Sequence, residues 1–266
     1  MKDLYASIAK ARIARRKLKA KVKSLFNRKA TGAIIWQGAS PQDGRPIAAI
    51  VTGLNRPTHN QKTGDMLQIW IIRTDIPPHE AVKSGEDKSV CGNCTHRRGH
   101  GGLKDCYVIP HQAPNSVYKN YKGGKYPTLE NSEDFAIFDN MLVRIGAYGD
   151  PAFIPLHIIK AITSRAAGHT GYTHQAQNKA IPNRHEYREL LHASADSPRH
   201  ASILQMRGWR TFETRYDASN TSGQLCAAED KGLSCELCQE CNGTSGQSVY
   251  ILAHGSQSTK HLKGGQ

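Results

Sequence analysis

"MLVRIGAYGDPAFIPLHIIKAITSRAAGHTGYTHQ" (residues 141–175) decides the fold of this chain. Its first ten residues are typical of an apolar strand, residues 151–168 of a helix with proline near its start, and residues 169–175 of a second strand. A strand, a helix and a strand in succession indicate parallel strands joined by a right-handed crossover. The stretch therefore predicts an α/β fold.

The same alternation continues towards the C-terminus. Further strands and a helix are predicted at residues 190–196, 197–208, 209–215 and 248–255. Upstream, runs rich in β-branched and aromatic residues predict an antiparallel meander at residues 32–38, 47–54 and 66–74. We expect a TIM-like barrel, either complete or partial and distorted.

The length of 266 residues and the hydrophobic content of 38% suit one such domain with appendages. We predict a single catalytic barrel-like domain over residues 31–266, preceded by an arm at residues 1–30. Within the domain, residues 89–130 form a cysteine-bearing insert without clear periodicity, and residues 226–241 hold a late cysteine cluster.

The positive charge is concentrated at the N-terminus. The formal net charge is +14, and residues 1–30 hold eleven lysine or arginine residues against Asp3 alone. Apolar residues recur there every three or four positions, which predicts an amphipathic helix, although a solvated helix or a transit peptide has the same pattern. We expect the basic face to bind DNA phosphates. The residues assigned to this contact are Arg12, Arg15, Arg16, Lys17, Lys19, Lys21 and Lys23, with Arg97 and Arg98 of the insert.

Polar side chains stand where the predicted strands end. In barrels of parallel strands, catalytic groups project from these carboxyl-terminal ends, although a turn or capping role accounts for any one of them taken alone. The side chains are Asp150, His174, Gln175, Asp196, Glu213, Arg215 and His254. Their recurrence predicts that at least two of them are catalytic, and Asp150 and Asp196 fit a carboxylate pair.

Seven cysteines form two groups, and their odd number argues against a closed disulfide framework. The N-terminus also lacks the apolar core of a secretory signal, so we expect a reducing compartment. The late group has the spacing C-x8-C-x2-C-x2-C, which suits four ligands around a metal and leaves zinc and an iron–sulfur cluster both open. Its members are Cys226, Cys235, Cys238 and Cys241.

The early group lies in the insert. Cys91 and Cys94 are two residues apart, and Cys106 supplies a third thiol. A fourth ligand can come from His96, His100 or His111. A set of packed thiols without a metal, and a radical S-adenosylmethionine cluster, are the alternatives. The usual spacing of that cluster, C-x3-C-x2-C, is matched by neither group.

Several stretches together resemble a group of bacteriophage-encoded proteins, the 7-deazaguanine DNA transglycosylases, which are distant relatives of the tRNA-guanine transglycosylases. The similarity covers most of residues 30–255. The stretches are "TGAIIWQGASPQDGRPI", "KTGDMLQIWIIRTDIPPHEAVKSGEDKSVCGNC", "CYV", "RIGAYGDP", "GYTHQ", "GWRTF" and the late cysteine run. The late run does not reproduce the C-x-C-x2-C zinc motif of the tRNA enzymes.

The resemblance implies a barrel with structural Zn²⁺ that exchanges guanine in double-stranded DNA for a base such as 7-cyano-7-deazaguanine. One Asp attacks the anomeric carbon of the sugar and a second handles protons, as in retaining glycosidases. We assign the attack to Asp196 and the proton transfers to Asp150, although the residues themselves leave these roles open. The target base must be flipped out of the helix. The expected substrate-binding residues are Tyr148, Tyr172, His174, Gln175 and His254.

Two other functions remain open. One is a non-catalytic zinc-containing protein that binds nucleic acid, and the other is an iron–sulfur enzyme, with radical chemistry as one form of it. No apolar run is long enough to span a membrane. We therefore expect no membrane partner and a cytoplasmic location. The resemblance to phage-encoded proteins implies that this is the cytoplasm of an infected bacterial host.

Overall fold

The computed structural model describes residues 13–14, 30–55, 60–97, 106–217 and 219–253. The residues of the arm that we expect to contact DNA lie outside these ranges, as do Arg98, His100 and His254.

One sheet of nine strands organises the described residues. The strands are β1 (Gly32–Ala39), β2 (Pro46–Thr52), β3 (Leu67–Arg73), β4 (Leu142–Tyr148), β5 (Gly168–Thr173), β6 (His192–Ala195), β7 (Thr211–Arg215), β8 (Gln224–Leu225) and β9 (Val249–Leu252). Their order across the sheet is β1-β2-β3-β4-β5-β6-β7-β9-β8. The predicted mixture of strands and helices in one α/β fold is confirmed.

The sheet changes direction at β3. β1, β2 and β3 pair antiparallel, which confirms the predicted meander. From β3 onwards each strand pairs parallel with the next, through β4, β5, β6, β7 and β9, and β8 adds a short parallel strand beyond β9. Six neighbouring parallel strands therefore follow one another in chain order.

Closure into a barrel is not confirmed. Within the described residues β1 and β8 are the two outermost strands of the sheet, and residues 127–129 pair with β1 at Ile34 alone. The edge of β3 at which a last parallel strand would close the ring is already paired with β2. The wall of six parallel strands is barrel-like, but the antiparallel meander extends it on one side instead of completing the circle.

The helices connect and cover the strands. They are α1 (Pro78–Ser84), α2 (Lys88–Cys91), α3 (Ala113–Lys122), α4 (Leu156–Thr163), α5 (Pro198–Met206), α6 (Ala227–Asp230) and α7 (Cys235–Cys238). The single helix predicted over residues 151–168 is divided into a 3₁₀ turn at Pro151–Phe153 and α4. Pro155 explains the break, because a residue before proline avoids helical geometry and Ile154 is extended.

The core is densest at the meander and the first parallel strands. β3 is buried along nearly its whole length, as expected for a strand covered on both faces. Its fully buried side chains include Leu67, Ile69, Ile71 and Ile72. This core fixes where the strand ends meet.

No helix in the described part of the chain is both long enough and apolar enough to cross a bilayer.

Candidate metal centre at the carboxyl ends of the parallel strands

A cleft of about 940 Å³, including its open mouth, lies at the carboxyl-terminal ends of the parallel strands. The ends of β4, β6, β7 and β9 contribute Asp150, Ser194, Thr214 and Ala253 to its wall. Ligands in sheets of this kind bind at this edge. The cleft is therefore the candidate functional site.

The three cysteines of the insert line the cleft together. Cys91 ends α2, Cys94 lies in the following loop, and Cys106 begins the next described segment. All seven cysteines of the chain are described, and none is in a disulfide. Burial raises the pKa of Cys91 well above its usual value, and Asp87 and the neighbouring thiols add to the effect. For Cys94, burial acts in the same direction, but His174 and His96 bring its pKa below the usual value.

A second set of potential ligands adjoins these thiols. His96 Nε2 lies 3.2 Å from Asp196 Oδ1, and His174 Nε2 lies 3.3 Å from the same oxygen. The ligand atoms of these three residues all fall within 4.8 Å of one another. Burial alone would raise the pKa of Asp196, but the two histidines hold it well below its usual value. The carboxylate of Asp196, which we predicted to be catalytic, thus lies next to two imidazoles.

Asp150 is buried, and its carboxylate is fully engaged. Oδ1 accepts from the Ala152 amide at 3.0 Å and from the Thr173 hydroxyl at 2.6 Å. Oδ2 accepts from the His174 amide at 2.8 Å and from Gln175 Nε2 at 3.1 Å. Burial raises the pKa of Asp150, and these donors offset the rise only in part. Asp150 therefore joins the end of β4 to the end of β5.

Gln175, which follows β5, links the loop between Cys91 and Cys94 to this edge of the sheet. It is fully buried, its Nε2 donates to the Cys91 carbonyl at 3.1 Å, and its Oε1 accepts from the Asn93 amide at 3.2 Å. Gly92, between them, has a φ of 54°, and a Cβ there would lie 2.3 Å from Gln175 Oε1. The loop passes so close to Gln175 that only glycine fits.

Arg97, which we expected to contact nucleic acid, binds within the protein. Its Nε donates to the buried Asp87 carboxylate at 3.0 Å, and its Nη2 donates to the Gly85 carbonyl at 2.7 Å. Asp87 also accepts, through its carbonyl, the Cys91 amide of α2. The ion pair thus braces the segment that carries the early cysteines and His96.

Aromatic side chains form another part of the cleft wall. Tyr172 and Phe212 stack with their ring centroids 4.3 Å apart and their planes 10° from parallel. The Tyr172 hydroxyl shares a hydrogen bond of 2.7 Å with Tyr107, and Arg144 Nη2 donates to both hydroxyls. Tyr148 also lines the cleft and is almost entirely buried. This wall therefore suits a ligand with a flat, apolar ring system that can stack on aromatic side chains.

The late cysteine group is anchored to several strands. The Cys235 amide donates to the Lys62 carbonyl before β3, the Cys226 amide to Tyr250 of β9, and the Cys241 carbonyl accepts from Gly171 of β5. Burial raises the pKa of Cys241 well above its usual value, and the other three thiols raise it further. The four thiols therefore share one partly buried location, close enough to influence one another electrostatically.

Two predicted strand-end residues turn towards each other instead of towards the cleft. Glu213 is fully buried, accepts from the Ser222 hydroxyl at 3.0 Å, and pairs with Arg215 at 3.5 Å. Neither side chain belongs to the cleft wall. The pair stabilises the end of β7.

Sequence patterns indicated only part of this site. His96 was considered only as a fourth ligand for the cysteines, and its partners lie 78 and 100 positions away in the chain. Phe212 and Thr214 were missed, although their two-residue spacing on β7 places them on one face. Arg144 had a clear signal, since it is the one charged residue in the otherwise apolar strand "LVRIGAY".

Comparison with protein-family models, curated proteins and solved structures finds no match.

Proposed function

We propose that this chain is an iron–sulfur enzyme that performs radical chemistry in the cleft, with S-adenosylmethionine as co-substrate. The observation that carries the proposal is the convergence of Cys91, Cys94 and Cys106 on the cleft at the ends of the sequential parallel strands. A four-iron cluster takes four ligands, so three thiolates leave one iron with a position for a bound molecule. The cluster, when bound, supplies one-electron chemistry.

The positions of the thiols leave room for a cluster where we expected zinc from the sequence. Thiolates on one tetrahedral zinc ion lie about 3.8 Å apart, because each Zn–S bond is about 2.3 Å long. Among the described residues, which include all seven cysteines, no three sulfurs lie within 4.8 Å of one another. A cluster binds each thiolate to a different iron and so holds the sulfurs further apart. The same reasoning favours a second cluster at the late group.

The histidines near the early group support an open position on the cluster. His96, a candidate fourth ligand, directs its Nε2 towards Asp196, and His111 is exposed at the surface. The third candidate, His100, lies outside the described residues. We therefore assign the fourth position of the cluster to a bound molecule rather than to a histidine.

The aromatic wall supports the choice of co-substrate. The stacked pair of Tyr172 and Phe212 borders the same cleft as the three thiols. Stacking on aromatic rings is a common way to hold a purine, because every base presents a flat π-face. An adenosyl group stacked on this wall would lie in the same cleft as the thiols.

The proposal is tested on the anaerobically purified and reconstituted protein. We expect a brown protein with about eight irons, four per cluster, and formation of methionine and 5′-deoxyadenosine when dithionite and S-adenosylmethionine are added. Dithionite supplies one electron, the bond between sulfur and the 5′ carbon breaks, and the sulfur keeps an electron pair as methionine. The 5′-deoxyadenosyl radical then takes a hydrogen atom from a C–H bond of a substrate or, without one, of a buffer molecule. A folded, colourless protein that holds zinc and forms neither product would exclude this function.

DNA base exchange is the second candidate, and one observation favours it. His174 links the two expected carboxylates, since its amide donates to Asp150 at 2.8 Å and its Nε2 lies 3.3 Å from Asp196. In this function Asp196 attacks the sugar and Asp150 transfers protons. Incubation with DNA and labelled 7-cyano-7-deazaguanine should then place label in the polymer. DNA binding without label and without 5′-deoxyadenosine would favour a non-catalytic nucleic-acid-binding protein.

A further inference from the structure

We propose that His96, His174 and Asp196 form a site for one divalent transition-metal ion, of the Zn²⁺ or Fe²⁺ class, separate from the thiols. In the described part of the chain, they are the one set of three whose ligand atoms all lie within 4.8 Å of one another. Two imidazoles and one carboxylate are the protein ligands of many mononuclear zinc and non-haem iron sites. The inference concerns a different ion from the proposed cluster.

The distances match a bound ion. Ligand atoms about 2.05 Å from a tetrahedral ion lie about 3.3 Å from one another. The two imidazole nitrogens lie 3.2 and 3.3 Å from Asp196 Oδ1. Both nitrogens approach the same carboxylate oxygen, and all three ligand atoms lie within 4.8 Å of one another. This spacing is what distinguishes the set from the cysteine groups.

The arrangement does not fit a proton relay. In a nucleophile–histidine–aspartate triad, the histidine contacts its two partners through different ring nitrogens. His174 Nε2 lies 3.9 Å from Cys94 Sγ and 3.3 Å from Asp196 Oδ1, so one nitrogen faces both partners. A single nitrogen cannot accept a proton from the thiol while it donates one to the carboxylate. Convergence of side chains on an ion explains the geometry more simply.

Neighbouring hydrogen bonds hold the backbone of the two histidines in position. The His174 amide is held by Asp150, and the residue after His96, Arg97, is tied to Asp87. The three side chains are only 14 to 19% exposed. Such supporting contacts fix ligand orientation in metal sites. Because both His96 and His174 border the cleft, the remaining coordination position faces it.

Calorimetric titration with Zn²⁺ tests the proposal in the full-length, anaerobically purified protein. We expect one tight equivalent, weakened by more than about 100-fold in His96→Gln and in Asp196→Asn, because each change removes a direct ligand. His157→Gln is the matched control, since His157 is exposed on α4, and it should bind zinc like the wild type. Circular dichroism checks that each variant is folded.

Zinc binding in both ligand variants that equals the control would overturn the site. Iron content, measured on the same samples, decides whether the site is separate from the thiols. Asp196→Asn should lose the zinc equivalent and keep the wild-type iron, whereas loss of both metals would overturn the separation. If the protein holds no iron, its free thiols bind zinc as well, and the site is then measured as the one equivalent by which the wild type exceeds each ligand variant. Failure of this difference is distinguishable from failure of the proposed function.

Discussion

Replacing Cys91, Cys94 and Cys106 together with serine is expected to remove about half of the iron and to reduce S-adenosylmethionine cleavage to the assay background. The serine hydroxyl is a much poorer ligand for iron than a thiolate, because it is far less acidic, and the three sulfurs are the thiols that line the cleft. Iron determination, the absorption spectrum and the yield of 5′-deoxyadenosine measure the effect. The change should act on chemistry more than on folding, because all three side chains are partly exposed.

The late cysteine group provides the matched control. The change of Cys226 and Cys238 to serine should remove the other half of the iron and leave the cleft cluster in place. Both thiols are partly exposed and lie outside the cleft wall. If the triple variant of the early group keeps the full iron content, the early thiols are not ligands. If it loses iron but still forms product at the wild-type rate, the cluster has no role in the reaction.

Periodicity in the sequence predicted the strands well and their closure poorly. The run from Leu142 to Thr173 alternates between β and α patterns, and hydrogen bonding between successive strands follows from that alternation. Closure depends on which edges remain available, and β2 occupies the edge of β3. The pairing of β2 with β3 was itself predicted as part of the meander, but whether a late strand could take that edge instead depends on segments far apart in the chain, for which periodicity gives no signal.

Some residues of the candidate site were likewise predictable from the sequence, and others were not. Asp150, His174 and Asp196 were predicted because each ends a strand, and the ends of neighbouring parallel strands meet at one edge. His96 lies in a loop without periodicity, and contacts such as those of Arg97 and Gln175 hold that loop near the strand ends. The sequence also does not distinguish zinc from an iron–sulfur cluster, because C-x2-C spacing is found in both kinds of site. The positions of the sulfur atoms in the fold are needed as well.

A loss of about 4 kcal/mol in the free energy of unfolding is expected when Asp150 is replaced with alanine. The substitution leaves four donors without their acceptor, namely the Ala152 amide, the Thr173 hydroxyl, the His174 amide and Gln175 Nε2. Such a loss is a large part of the roughly 5–15 kcal/mol that holds a typical domain folded. Urea unfolding at pH 7 measures it, and an unchanged midpoint would contradict the structural role.

Asp150→Asn separates that role from catalysis. The amide keeps one acceptor oxygen and the shape of the side chain, so we expect a cost of about 2 kcal/mol and a folded protein. Because burial raises the pKa of Asp150 in the native state, protonation favours the fold at low pH, and this contribution disappears as the pH rises through the native pKa. The asparagine variant should lack that contribution in acid unfolding curves.

The two candidate functions make opposite predictions for the folded asparagine variant. If Asp150 holds the cysteine loop in place, the variant keeps its iron and most of its S-adenosylmethionine cleavage, because Gln175 still bonds to Cys91 and Asn93. If Asp150 transfers protons in base exchange, an amide cannot replace it, and incorporation of 7-cyano-7-deazaguanine falls to background. The same purified variant, assayed for both reactions, therefore distinguishes a carboxylate that positions a metal-binding loop from one that takes part in the chemistry.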